Sequence, residues 1–166
     1  DQEEVLSNLA RVGCTFGKPR RHPTSTANSY TLLGLKPALI SAGVLGNKHI
    51  PAVYLRASEA QRRELLAGLL DSAGTASGGS VEFCVTRKRL AADTLELILS
   101  LGYRAAMSSG VARLYGKDCG VRYRIHFSPR NAPFRLRRKN ALLRENRTQI
   151  NRTAQRRIVA VEPVAS

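Results

Sequence analysis

Two stretches of this chain share one pattern, and their separation constrains the fold more than any single motif does. EEVLSNLARVG (residues 3–13) and ADTLELILSLG (92–102) lie 89 residues apart, match largely apolar for apolar, and both end on glycine. In the first, Val5, Leu6, Leu9 and Val12 recur at helical spacing. In the second, Leu95, Ile98, Leu99 and Leu101 do the same, and the glycine stops each helix. The segments downstream of each helix correspond as well. SYTLLG (29–34) answers to RYRIHFSP (122–129), and LKPALISAGVLGNK (35–48) to RNAPFRLRRKNALL (130–143). Amphipathic helices ending in glycine are common, so the shared order of elements carries the repeat. It predicts an α/β fold: one full αββαββα unit preceded by the back part of a similar one. The expected divisions are 1–57 for the partial unit, 58–150 for the full unit and 151–166 for a basic connector and final strand.

Within that frame Ser58 caps a helix over 59–71, terminated by Gly74. SVEFCVTR (80–87) alternates as a half-exposed strand does, and further strands are expected near 111–116 and 121–127. A short strand is expected at 29–33 and a short helix at 36–45, beginning around Pro37. A basic helix should run from about Leu136 to Glu145, and RRIVAVEPV (156–164) reads as a strand.

Charge narrows the function. Across 166 residues, 27 Lys and Arg face 12 Asp and Glu, and residues 122–157 hold twelve of the basic residues with a single acid, Glu145. A field of that sign attracts polyanions and points to nucleic acid; a solubilising basic tail is the plainer alternative. Apolar residues make up 43% of the chain, too many and too regularly spaced for a disordered segment. No apolar run approaches the ~18 residues of a membrane span, and the acidic start is unlike a signal peptide. Cys14, Cys84 and Cys119 form neither a CxxC pair nor a disulfide framework, which makes a reducing cytoplasm the expected compartment. His22, His49 and His126 stand singly, so no metal-ligand pair is visible.

The sharpest local motif is Leu65–Gly74, LLAGLLDSAG. Ala67 and Gly68 are small, so another helix could approach closely along that stripe, while the leucines fill core; an ordinary core helix would read much the same. LAGLLDSAG resembles the LAGLIDADG motif of homing endonucleases at six of nine positions. Its surroundings are similar to those of intein-borne members. NKHIPAVYLRASEAQRRELLAGLLDSAGT (47–75) looks like their second-motif region, with a Lys-x-Ile-Pro turn and a Ser-capped helix. SVEFCVTRKRLAADTLELILSLGYRA (80–105) is similar to their strand-then-helix segment, and RRIVAVEPV to the strand that re-enters the splicing domain. Among such inteins the chain looks like those carried by bacterial replicative DNA helicases. The resemblance covers roughly residues 1–164.

The resemblance implies a LAGLIDADG fold. Antiparallel saddle-shaped sheets would lie over the major groove of a long double-stranded DNA target, with two central motif helices above them. The first of those helices is not in this chain; the repeat offset places it about twenty residues before Asp1. It implies a pseudo-two-fold monomer rather than a homodimer, with no membrane partner. The family's splicing residues are absent, so the chain as given is not expected to splice. The implied reaction is Mg²⁺-dependent hydrolysis of two phosphodiester bonds. In it the acid before the last motif glycine ligates the metal, and oxygen suits so hard an ion. Here that position is Ala73, which offers no oxygen. Asp71 lies about 200° around the helix from Ala73 and is a weak substitute ligand. The expected form therefore binds DNA without cutting it, and Ala73→Asp would return the missing ligand.

The family also places a basic residue beside each scissile phosphate. Lys48 is the first-half candidate and, through the repeat, Lys139 the second. A solvated loop lysine and one more phosphate contact in a basic helix are the plainer readings of these two. Thr75, Ser77, Arg87, Arg113, Tyr115, Arg122, Arg124 and His126 are the polar strand residues expected to face DNA. Arg137 and Arg138 join them from the basic helix, with Arg20, Arg21, His22, Ser29 and Thr31 as looser first-half candidates. Arg122, Arg124 and His126 alternate with Val121, Tyr123, Ile125 and Phe127, the period of a one-sided strand. The competing class is a non-catalytic nucleic-acid-binding module, including a maturase-like RNA-binding relative.

Overall fold

A computed structural model describes residues 1–21, 28–144 and 160–161. Helix α1 (Gln2–Arg11) leads into two short paired strands, β1 (Arg20–Arg21) and β2 (Asn28–Ser29), followed by α2 (Leu35–Ser41) and the single turn α3 (Ala52–Leu55). Next come α4 (Glu59–Ala73), β3 (Gly74–Ser77), β4 (Ser80–Val85), α5 (Lys88–Ser100), β5 (Ala105–Leu114), β6 (Lys117–Phe127) and α6 (Arg137–Arg144). From α4 onward the order is αββαββα, as read from the sequence. The sheet runs β3-β4-β6-β5 and is antiparallel throughout.

Pleating decides which side of this sheet is packed. In β4, Val81, Phe83 and Val85 point one way, and register sets them opposite Phe127, Ile125 and Tyr123 of β6. Against that face lie Leu66 and Leu70 of α4 with Leu97 and Ile98 of α5, closing a core in which Leu70, Val81, Leu97, Ile98 and Ile125 are fully buried. Thr94, buried among them, spends its hydroxyl on the Leu90 carbonyl at 2.7 Å, so no donor is stranded. Ile50 enters this core with its N–H held by Asp93 Oδ2 at 2.9 Å, which anchors the chain just ahead of α3.

Helix α4 begins in a reciprocal capping box. Ser58 Oγ accepts from the Gln61 N–H at 3.3 Å, while Gln61 Oε1 accepts from the Ser58 N–H at 3.2 Å. It ends on Gly74 for want of space. A Cβ there would stand 2.6 Å from the Leu70 carbonyl oxygen, and the chain turns straight from helix into β3. Gly68 differs, having nothing within 4 Å of the position a Cβ would take. Ala67 is buried and Gly68 exposed, so only part of the small-residue stripe lies open.

Several expectations shift. The strand expected from 111 begins at Ala105, because AAMSSG has no β-branched alternation of its own and is extended by its pairing with β6. The strand expected over 29–33 reduces to β2 and a lone bridge between Phe16 and Leu32. Helix α3 was not anticipated: Val53 and Tyr54 are weak helix formers, and one turn behind Pro51 leaves no period to detect. The strand expected at 156–164 lies outside the described residues except at 160–161. No buried residue precedes Ile50 among those described, and α1 and α2 bury none of their side chains. Polar contacts tie α1 down instead: Gln2 donates to the Tyr30 hydroxyl, and Glu4 accepts from the Arg137 N–H at 3.1 Å. No described helix is long and apolar enough to cross a membrane.

Candidate nucleic-acid interface

The side of the sheet away from the core carries every second residue. On β6 these are Arg122, Arg124 and His126, and register aligns them with Gly110, Ser108 and Ala106 of β5. On their other flank, Cys84 and Glu82 of β4 stand across from Arg124 and His126, and Thr75 and Ser77 of β3 lie beyond, opposite Glu82 and Ser80. A row of Arg122, Arg124 and His126 thus runs down the middle strand, flanked on β5 by small side chains and on β4 by Cys84 and Glu82. From the β5 side a polyanion can reach it without displacing bulk. Arg122 Nε is covered and has no hydrogen-bond partner, a cost that swinging the guanidinium onto an acceptor would relieve.

Thr75, Ser77, Arg122, Arg124 and His126 therefore share one face. The remaining strand candidates stand apart from that row. Arg87 is exposed at the N-cap position of α5. Arg113 lies past a register shift, opposite Asp118. Tyr115 is 97% exposed in the two-residue turn between β5 and β6, with φ positive at both Tyr115 and Gly116. Arg20, Arg21 and Ser29 are exposed on the β1–β2 ladder and Thr31 beyond it, whereas His22 lies outside the described residues. Cys14, Cys84 and Cys119 are free thiols.

Reasoning from the sequence passed over Glu82. It is half-buried on the polar face, with Oε2 3.3 Å from His126 Nε2 and 3.6 Å from Arg124 Nη1. Alternation in SVEFCV was sufficient to place it there, since it shares parity with Ser80 and Cys84.

At the far end of α4 two charged side chains lock the helix to α6. Lys139 Nζ donates to the carbonyls of Leu70, Asp71 and Gly74 at 2.9, 2.8 and 2.6 Å. All three ammonium donors are used, and they meet the negative end of the helix dipole. In return, Asp71 Oδ1 accepts from the backbone N–H groups of Arg135 and Leu136, both at 3.2 Å, just ahead of α6. Desolvation raises the Asp71 pKa, against the opposing pull of those N–H groups and of Lys139. Desolvation likewise lowers the Lys139 pKa, which the Asp71 charge partly offsets. Lys139 was expected beside a scissile phosphate; here its ammonium is taken up by the carbonyls that end α4. Lys48 is exposed in the loop before Ile50. On α6, Arg138 pairs with Asp1 at 2.6 Å and Arg137 with Glu4 at 3.5 Å; ahead of the helix, Arg135 pairs with Glu64.

The donor set at this helix end does not suit a divalent cation. Ala73 packs against the core, one Asp71 oxygen is committed to two N–H groups, and an ammonium already occupies the carbonyls. Among the described residues no group of three or more His, Cys, Asp or Glu is gathered to hold a metal.

Fold and face together define an α/β module whose antiparallel sheet is packed on one side and presents a cationic row on the other. No family model matches the chain. Over 139 residues, 82% of its length, it is 49% identical to the replicative DNA helicase DnaB of Mycobacterium intracellulare. The chain spans only 24% of that protein.

Proposed function

We propose that this chain is the DNA-recognising part of a LAGLIDADG homing endonuclease carried by an intein within a replicative helicase. One observation carries the reading. Arg122, Arg124 and His126 form a row on the open side of a sheet whose other side packs against the LAGLLDSAG helix. Strands that alternate in this way can set one side chain after another against base edges and phosphates in a major groove. The match to a quarter of a replicative helicase fits an inserted segment, as an intein would be. The partner is long duplex DNA, and the cytoplasm is the compartment in which such a host replicates DNA.

Cleavage is not proposed for this chain alone. Metal-dependent hydrolysis needs an oxygen ligand where Ala73 stands, and the neighbouring Asp71 and Lys139 are engaged with backbone. In this reading Lys139 and Asp71 hold α6 in place, and Lys48 is left as a phosphate contact from the loop.

Selection of binding sites from random duplex DNA, in parallel with a pool of folded RNA, tests the assignment. Enrichment of one long duplex sequence, left uncut in Mg²⁺ as in chelator, is the expected outcome. Enrichment of structured RNA instead would replace this reading with the maturase-like one, and enrichment of neither would end it.

A further inference from the structure

Glu82 is the one acid among the aligned outward positions of β3, β4, β6 and the paired part of β5, and it sits on β4 beside Arg124 and His126 of β6. A carboxylate facing a polyanion repels phosphate, so it weakens sequence-independent binding. What it can do for a nucleic acid is accept hydrogen bonds, and in a major groove the donors are the amino groups of cytosine and adenine. Its neighbour supplies the complement. Arg124 Nη1 lies 3.6 Å from Glu82 Oε2, close enough for charge pairing and too far for a hydrogen bond. Both side chains therefore keep hydrogen-bonding capacity for a ligand. Side-chain exposures of 31% for Glu82, 39% for Arg124 and 48% for His126 leave all three within reach. Beside Arg124 and His126, Ser108 and Ala106 are short, so a base edge meets no steric wall on that side.

We propose that Glu82 is a specificity-determining residue that, together with Arg124, reads a G·C pair. The guanidinium donates to guanine O6 and N7, and the carboxylate accepts from the cytosine N4 amino group. The major-groove edge of G·C presents two acceptors followed by a donor, the mirror of an arginine and a glutamate held side by side. An A·T edge, with its donor between two acceptors, matches less well. His126 Nε2 lies 3.3 Å from the same carboxylate oxygen. This inference rests on the duplex-binding reading and deepens it.

The test compares the full chain with Glu82→Gln and Arg124→Gln in duplex selection and in titrations of the selected duplex and a scrambled one. Wild type should show a G·C preference at one position. Glu82→Gln keeps an acceptor oxygen but adds an amide donor, a pair that suits adenine N6 and N7. The G·C preference should therefore fall by ~10-fold as adenine is admitted at that position. The same variant should bind the scrambled duplex at least as tightly as wild type does, since a repulsive charge is gone. Arg124→Gln should lose preference at the same position. Unchanged preferences with affinity altered equally on every sequence would make Glu82 a structural charge and overturn the proposal. Failure of wild type to bind any duplex would instead remove the underlying reading. Thermal unfolding of both variants separates misfolding from altered recognition; if Glu82→Gln unfolds, Glu82→Ser must show the same selective loss or the proposal falls.

Discussion

Lys139 and Asp71 show how much one side chain can fix when it meets the end of a helix. Removing the ammonium in Lys139→Met strands three carbonyls at the end of α4, and a cost of about 2 kcal/mol in urea unfolding is expected. Asp71 makes a prediction in pH. Its folded pKa is raised above 3.8, so its contribution to stability is fullest below that value and is lost as pH rises through the folded pKa. Asp71→Asn keeps an acceptor oxygen without the charge. It should therefore gain on wild type as pH rises from below 3.8 toward neutrality, which unfolding curves at a series of pH values will show. Neither contact was visible in the sequence, because residues nearly seventy positions apart meet only once the sheet has formed. Glu82 was visible by strand parity, yet attention to basic residues passed over it.

At the scale of elements, the two glycines of α4 should respond in opposite directions. Gly68→Ala adds a methyl group to open space within a helix and should stabilise the chain by about 0.5–1 kcal/mol. Gly74→Ala drives a Cβ into the Leu70 carbonyl and should cost about 1–3 kcal/mol, read from the same denaturation curves. In the β5–β6 turn, Tyr115 holds a φ of +48° ahead of Gly116, where Asn is the better-suited residue. Tyr115→Asn should raise the melting temperature. Helices α4 and α5 were legible because each repeats its apolar positions over several turns and carries its own stop, and Ser58 announces the first of them. The near half of β5 was not legible. AAMSSG owes its extension to β6, and local sequence cannot report a partner strand.

For the whole molecule, the packed core lies between Ile50 and Leu143. Val5, Val12, Leu33 and Ile40 stand exposed in the segment before it, and this apolar surface should make the chain self-associate in sedimentation at rising concentration. The repeat in the sequence located both helix pairs, but it did not reveal that the first partial unit buries nothing of its own among the described residues before Ile50. The central claim is that the cationic row of β6 holds duplex DNA. Its most direct test is the affinity for the selected duplex measured from low to physiological salt, for wild type and for Arg122→Ala with Arg124→Ala. Wild-type affinity should fall steeply with salt, and the double variant should bind more weakly by about 1–3 kcal/mol per contact with a shallower salt dependence. Affinity indifferent to salt, or unchanged by removing both arginines, would contradict it.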